Sequence, residues 1–324
     1  MNEQSETTVS RRGFMGSAAA LAASTMMSRY VLAGSGGRAT KPNSNFNGVQ
    51  IGAITYSWRS MPGSAEDILK YAVQCGISSL ELMGDPAEKF AGLPAGAGRR
   101  RGRMTAEQQR DQRQRRQEQL DWRLSVSMDK YRALRKMYND AGVNIHIVKF
   151  GSIGNQGMTD GEIDYYFNVA KALGARGITR ELSEEAAKRL GPIADRHKIM
   201  IGFHNHTQLR PTTYDGPILS YGKYLGINLD TGHYVAGTNE SPIPLIRKHH
   251  DRILSLHLKD RKVNNGPNMP FGQGDTPVAL ILQLVKREKW TFPCDIELEY
   301  RVPQGSDAVA EVAKCVKFCK ESLA

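Results

Sequence analysis

From residue 48 onward the chain alternates short β-type runs with longer amphipathic helical patterns, eight times over, and no other feature narrows the fold as much. Strands are predicted at 49–56, 77–82, 143–150, 177–181, 199–204, 227–230, 253–257 and 294–299. The helices between them carry local start and stop signals. Thr159-Asp160-Gly161-Glu162 reads as a capping box, in which a hydroxyl and a carboxylate satisfy the free N–H groups of the first turn. Gly76, Gly142 and Gly174 each close a helix that leads directly into the next strand. Eight strand–helix units with short returns give parallel neighbours, and they close into a TIM (β/α)8 barrel of the α/β class rather than an open sheet. The 324 residues fit one such barrel over 48–324, since the fold typically takes about 250 residues, with segments to spare.

In such barrels chemistry sits at the C-terminal strand ends, so the residues that terminate the strands matter most. The fourth predicted strand ends in Glu181, the fifth in His204-Asn205-His206 and the sixth in Asp230-Thr231-Gly232-His233. The seventh ends in His257-Leu258-Lys259-Asp260 and the eighth in Glu297-Leu298-Glu299. Carboxylates and imidazoles converging from separate strands, with no cysteine among them, suit one divalent cation such as Mn²⁺, Zn²⁺, Co²⁺ or Mg²⁺. The four cysteines, Cys75, Cys294, Cys315 and Cys319, read as core packing, because an i, i+4 helical pair suits neither a disulfide nor a zinc site on its own.

The formal charge of +11 invites a nucleic-acid reading until its distribution is considered. Residues 1–41 hold five basic against two acidic side chains, and residues 99–123 hold nine arginines against four carboxylates. The remaining body is nearly balanced and requires no polyanionic partner. Ser10-Arg11-Arg12-Gly13-Phe14-Met15, followed by an Ala- and Ser-rich apolar segment, resembles a twin-arginine export signal. The expectation is a signal peptide over 1–33, a flexible tether over 34–47, passage through the twin-arginine translocase and a periplasmic location. No apolar run reaches the roughly 20 residues of a bilayer span. The stretch 91–124 is an Arg/Gln-rich excursion after the second strand. Its interleaved acids and amides dilute the field, so it reads as a solvated lid or a subunit contact in a homo-oligomer rather than a grip on DNA.

No G-x-S-x-G elbow is present, and Gly272-Gln273-Gly274-Asp275 follows the wrong strand for a dinucleotide fingerprint. That glycine-rich stretch reads as a flexible loop over the site.

At these strand ends the sequence resembles the xylose isomerase-like TIM barrels of the sugar phosphate isomerase/epimerase superfamily. The resemblance rests on Asp230-Thr231-Gly232-His233, Ser255-Leu256-His257-Leu258-Lys259-Asp260, Phe271-Gly272-Gln273-Gly274-Asp275 and Ile296-Glu297-Leu298-Glu299. It implies Asp230, His257 and Glu297 as cation ligands, with Glu299 as the substitute for Glu297 and His233 either in contact with substrate or behind the metal ligands. Epimerases of the superfamily resemble one another in a glutamate at the end of the fifth strand, where this chain has His204. Glu181 is therefore expected as the replacement carboxylate ligand, and His204 and His206 as further ligands or proton-transfer groups.

The chemistry implied is enolisation of a ketose or keto-sugar through an enediolate. Glu297 or an imidazole is the expected base. Lys259 and Lys149 are expected near the developing oxyanion, and Tyr56 and Glu81 in the pocket wall. Isomerase or epimerase activity follows if the proton returns. Lyase or hydratase activity on a 3-keto-glycoside follows if a β-substituent leaves, and neutral sugars are expected over phosphorylated ones. An endonuclease IV-like hydrolase and a non-catalytic sugar-binding barrel are the remaining readings.

Overall fold

The computed structural model describes residues 41–96 and 104–324, and residues 41–324 form one compact unit. Eight parallel strands build it: β1 (Val49–Ile54), β2 (Ser79–Met83), β3 (Asn144–Lys149), β4 (Gly177–Glu181), β5 (Met200–His204), β6 (Leu225–Asp230), β7 (Ile253–Leu258) and β8 (Cys294–Ile296). Each strand pairs with its sequence neighbours, and β1 pairs with both β2 and β8, so the sheet is a closed TIM barrel. All eight expected strands are present. The largest boundary change is at β8, which stops at Ile296 and leaves Glu297, Leu298 and Glu299 as the loop that rises from it.

Helices cover the outside in the expected alternation. The first, α1 (Ala65–Gln74), shows why they form: Ser64 accepts a hydrogen bond from the Asp67 N–H, and Ala65, Ile68, Tyr71 and Ala72 recur on one face, which is buried. A short helix, α2 (Gly84–Ala91), follows β2 and stops at Gly92, whose φ of 98° lies in the left-handed region. Among the described residues of the excursion stands α3 (Ala106–Ser125), started by a reciprocal capping box between Thr105 and Gln108. Then come α4 (Asp129–Asp140) and α5 (Asp160–Leu173).

No residue of α3 is buried, and its hold on the barrel is concentrated at its last turns. Arg123 Nε donates to Glu88 Oε1 at 2.8 Å and Arg123 Nη1 to Glu162 Oε1 at 3.2 Å. Glu88 also accepts from the Tyr165 hydroxyl at 3.0 Å. This alters the start of α5. Thr159 caps it through the Glu162 N–H as expected, but the Glu162 carboxylate turns to Arg123 and Tyr166, so only half of the expected box forms.

The expected signal peptide, 1–33, and residues 34–40 of the expected tether lie outside the described residues. The end of that tether is folded, because Asn45–Phe46 pairs antiparallel with Val49 and Gln50, and Ser44 is buried with its hydroxyl on the Ile51 carbonyl at 2.6 Å. The ordered barrel thus begins before Gly48. All four cysteines are free and buried.

Candidate functional site

The C-terminal strand ends bring four side chains together at the barrel mouth: His204 from β5, Asp230 from β6, His257 from β7 and Glu297 just past β8. All four are buried, and one N or O atom from each lies within 4.8 Å of the others. Parallel strands ending at one rim place these residues together although they span 94 positions of sequence, from 204 to 297.

Each imidazole is held by a polar residue beneath it. His204 Nδ1 donates to Asn228 Oδ1 at 2.7 Å, which leaves Nε2 with a free lone pair. Burial, with Lys149 and His257 nearby, pushes the His204 imidazole well below its ordinary value, so it is neutral. His257 Nδ1 faces Glu297 Oε2 at 2.9 Å, and its Nε2 faces Glu81 Oε2 at 2.8 Å. Burial opposes a charge on His257, but the two carboxylates prevail and raise it to about 10. Glu81 also accepts from the Thr179 hydroxyl at 2.5 Å and from Asn228 Nδ2 at 3.4 Å.

Lys259 reaches into the same cluster with its ammonium 2.7 Å from Asp230 Oδ2, 3.0 Å from Glu297 Oε2 and 2.7 Å from Glu299 Oε2. Burial disfavours its charge, and the three carboxylates outweigh that and raise its pKa. Burial likewise resists ionisation of Glu297, but Lys259 and His257 hold its carboxyl well below the usual range. The stem of Lys259 passes over the first turn of the helix after β6, where Gly232 leaves room: a Cβ there would stand 2.7 Å from Lys259 Cγ.

A second group stands at the rim. Glu181 Oε2 accepts from His206 Nε2 at 3.0 Å, and Glu181 Oε1 lies 3.1 Å from Lys149 Nζ. Burial opposes the Glu181 charge, but His206 and Lys149 lower its pKa to about 2, and the hydrogen bond to Glu181 raises that of His206. These side chains remain 42% and 55% exposed, open to the mouth. His233 lies between the two groups. Its Nδ1 accepts from Arg261 at 2.7 Å, and burial beside Lys259 lowers it to about 3, so it is a neutral ring.

Several expected positions change. Glu181, expected among the ligands with Asp230, His257 and Glu297, lies outside that buried group, paired with Lys149 and His206, and forms a second candidate group with His204 and His206, while His204 is the fourth member of the buried group. Glu81, expected in the pocket wall, is wholly buried behind His257 and serves as its support. Tyr56 lies on the turn after β1, 37% exposed, with the Arg59 guanidinium 4.6 Å above its ring. The loop expected to be flexible is pinned, since Asp260 accepts from the N–H groups of Gly272 at 2.8 Å, Gly274 at 2.9 Å and Thr276 at 3.1 Å. A Cβ at Gly274 would stand 1.9 Å from Asp260 Oδ1, so only glycine fits that approach. His146, a weak sequence candidate, is buried between Ser79 at 2.8 Å and Asp295 at 3.0 Å.

The donor set fits a divalent cation. His204, Asp230, His257 and Glu297 are the mixed imidazole and carboxylate donors such ions take. Asp230 Oδ2 is buried with no hydrogen-bond donor aligned on it, although the Lys259 charge is close. Glu81, Asp230, Glu297 and Glu299 outnumber the cations Lys259 and His257 beside them, which leaves the centre negative.

Comparison with known proteins agrees with the barrel. An inosose dehydratase from Clostridium beijerinckii is 26% identical over 167 residues, 49% of this chain, and the match spans about half of that relative, 48%. The probable 3-DHS dehydratase AsbF of Bacillus anthracis superposes with a TM-score of 0.56 at 15% identity, over 83% of this chain and 98% of its own. A sugar phosphate isomerase/epimerase from Parabacteroides distasonis does so with a TM-score of 0.52 at 18% identity, over 84% of this chain and 93% of its own. At such identities these two structures share the fold. In sequence, residues 166–319, which run from α5 to the last helix and contain every member of the buried four-residue group, match the xylose isomerase-like TIM barrel family.

Proposed function

We propose that the protein is a metal-dependent enzyme of that family which enolises a keto-sugar and expels a β-hydroxyl, a dehydratase of the lyase class. The observation that carries the reading is that, among the described residues, one acid/base pair stands open to the mouth, His206 on Glu181, beside carboxylates that are buried and engaged. Epimerisation takes a proton from one face of a carbon and returns it to the other, which calls for two such groups. One group suffices for elimination on a single face.

His204, Asp230, His257 and Glu297 would hold the cation, which supplies a positive charge to polarise the substrate carbonyl. The Lys259 ammonium adds charge at the developing oxyanion. His206 Nδ1 accepts the proton from the carbon beside the carbonyl, and Glu181, which accepts from the Nε2–H of the same ring, steadies the imidazolium that results. Nδ1 then gives that proton to the β-hydroxyl, the C–O bond breaks, and water leaves as the carbon–carbon double bond forms. Glu297, held strongly ionised, is suited to a ligand rather than a base.

A single base also permits aldose–ketose transfer, in which His206 returns the proton to the neighbouring carbon, so an isomerase is the second reading. The protein is proposed to act in the periplasm on neutral sugars, after export directed by Arg11 and Arg12. Incubation of the metal-loaded protein with 3-keto-glycosides, inososes and free ketoses in D₂O tests the reaction. A product lacking one water, or release of the aglycone from a 3-keto-glycoside, supports the elimination, and a deuterated isomer of unchanged composition supports the isomerase. Neither product from any of these substrates overturns both.

A further inference from the structure

Lys259 stands on the oxygens that a cation would use. Its ammonium is almost wholly buried and contacts Asp230 and Glu297, two of the four residues in the buried group, together with Glu299, which lies outside that group. The contacts are of ion-pair distance, but Lys259 Nζ makes no aligned hydrogen bond, so charge rather than geometry holds it. Gly232 fixes the course of the stem at Cβ and Cγ. The outer torsions remain to carry the ammonium between carboxylates, as suits a compact charge on a flexible chain.

We propose that Lys259 is a built-in competitor for the divalent cation, with Glu299 as the carboxylate to which it withdraws. In the cation-free protein the ammonium neutralises Asp230 and Glu297 and keeps the buried carboxylates together. Two positive charges in a buried site repel strongly, so cation entry requires Lys259 to give up those two oxygens. Glu299, already 2.7 Å from Nζ, retains it. The site thereby exchanges one counter-charge for another and is never left with bare buried carboxylates. The inference rests on the function proposed above only in placing a cation at this group, and it holds for any reaction.

Mn²⁺ affinity of the metal-stripped full-length protein, measured by competition with a chromophoric chelator, tests it. K259M is expected to bind Mn²⁺ at least tenfold tighter than wild type. Without Mn²⁺ it should melt at a lower temperature, and with Mn²⁺ it should show the larger upward shift. E299Q is expected to bind Mn²⁺ severalfold more weakly, and this loss should vanish in the K259M/E299Q double variant, which a general loss of negative charge would not produce. Equal or weaker Mn²⁺ binding by K259M overturns the proposal, as does an E299Q loss that persists without Lys259. If K259M does not fold without metal, E299Q against wild type still decides, since unchanged or tighter binding by E299Q overturns it. Absence of deuterium exchange with every keto-sugar refutes the proposed reaction and leaves the competition standing.

Discussion

Glu81 Oε2 lies 2.8 Å from His257 Nε2, and both side chains are wholly buried beneath the mouth of the barrel. A carboxylate behind an imidazole fixes which ring nitrogen carries the proton and which is presented to the site. Replacement of Glu81 by Ala leaves a buried cationic ring with one partner fewer, a loss of about 3 kcal/mol or more. Divalent-cation affinity should fall roughly ten- to a hundredfold. Denaturant melts of the cation-free variant and chelator titrations measure the two effects, and an affinity equal to wild type would refute the supporting role.

The same pairing makes the cation-free protein sensitive to alkali. Folding raises His257 from 6.5 to about 10, so the stability it contributes is complete below about pH 6.5 and is lost as the pH rises to about 10. The loss across that range is on the order of 5 kcal/mol. Melting temperatures from pH 6 to 10 should fall in the stripped protein and stay much flatter in H257Q.

His206→Asn is expected to reduce kcat by about a hundred- to ten-thousandfold, the usual contribution of a positioned acid/base. Affinity for a cation at the buried group should be nearly unchanged, because His206 lies outside it, in the second group with Glu181 and His204. A variant that keeps turnover removes His206 from the reaction.

Arg123→Ala strands Glu88 in a mostly buried position, at a cost of about 3 kcal/mol. Helix α3 should then be cut by protease faster than in wild type. Restored protection in R123A/E88Q would show that the unpaired charge, rather than lost packing, was responsible.

Much of this was legible in the sequence, for a geometric reason. A polar residue that ends a parallel strand is delivered to one rim whatever the helices do, so Asp230, His257, Glu297 and His204 could be read from strand boundaries alone. Depth within the barrel could not. The register of β2 against β3 shifts between Leu80 and Glu81, an irregularity that no residue pattern marks, and Glu81 stands beneath His257 rather than in the wall.

Neutral supports were missed because Thr179, Asn228 and Ser255, whose hydroxyl accepts from Asn228 Nδ2 at 2.6 Å, have no chemistry of their own. A signal for them was present: each lies two residues before a rim residue, Glu181, Asp230 or His257, and so on the same strand face one layer down. The tie between Arg123 and Glu88 spans 35 positions with no pattern to mark it. The partners of Glu181 were not legible, since sequence shows a carboxylate at a strand end but not that Lys149 and His206 pair with it.

Within Asp230-Thr231-Gly232-His233, three residues act through the atoms they carry and the fourth through an atom it lacks. The absent Cβ of Gly232 is the corridor through which Lys259 reaches the centre. Positions 232 and 259 therefore form one steric unit between the helix after β6 and the end of β7. A homologous chain with a bulkier residue at the first must carry a shorter or redirected one at the second, and such a chain would have to balance its buried carboxylates by some other means.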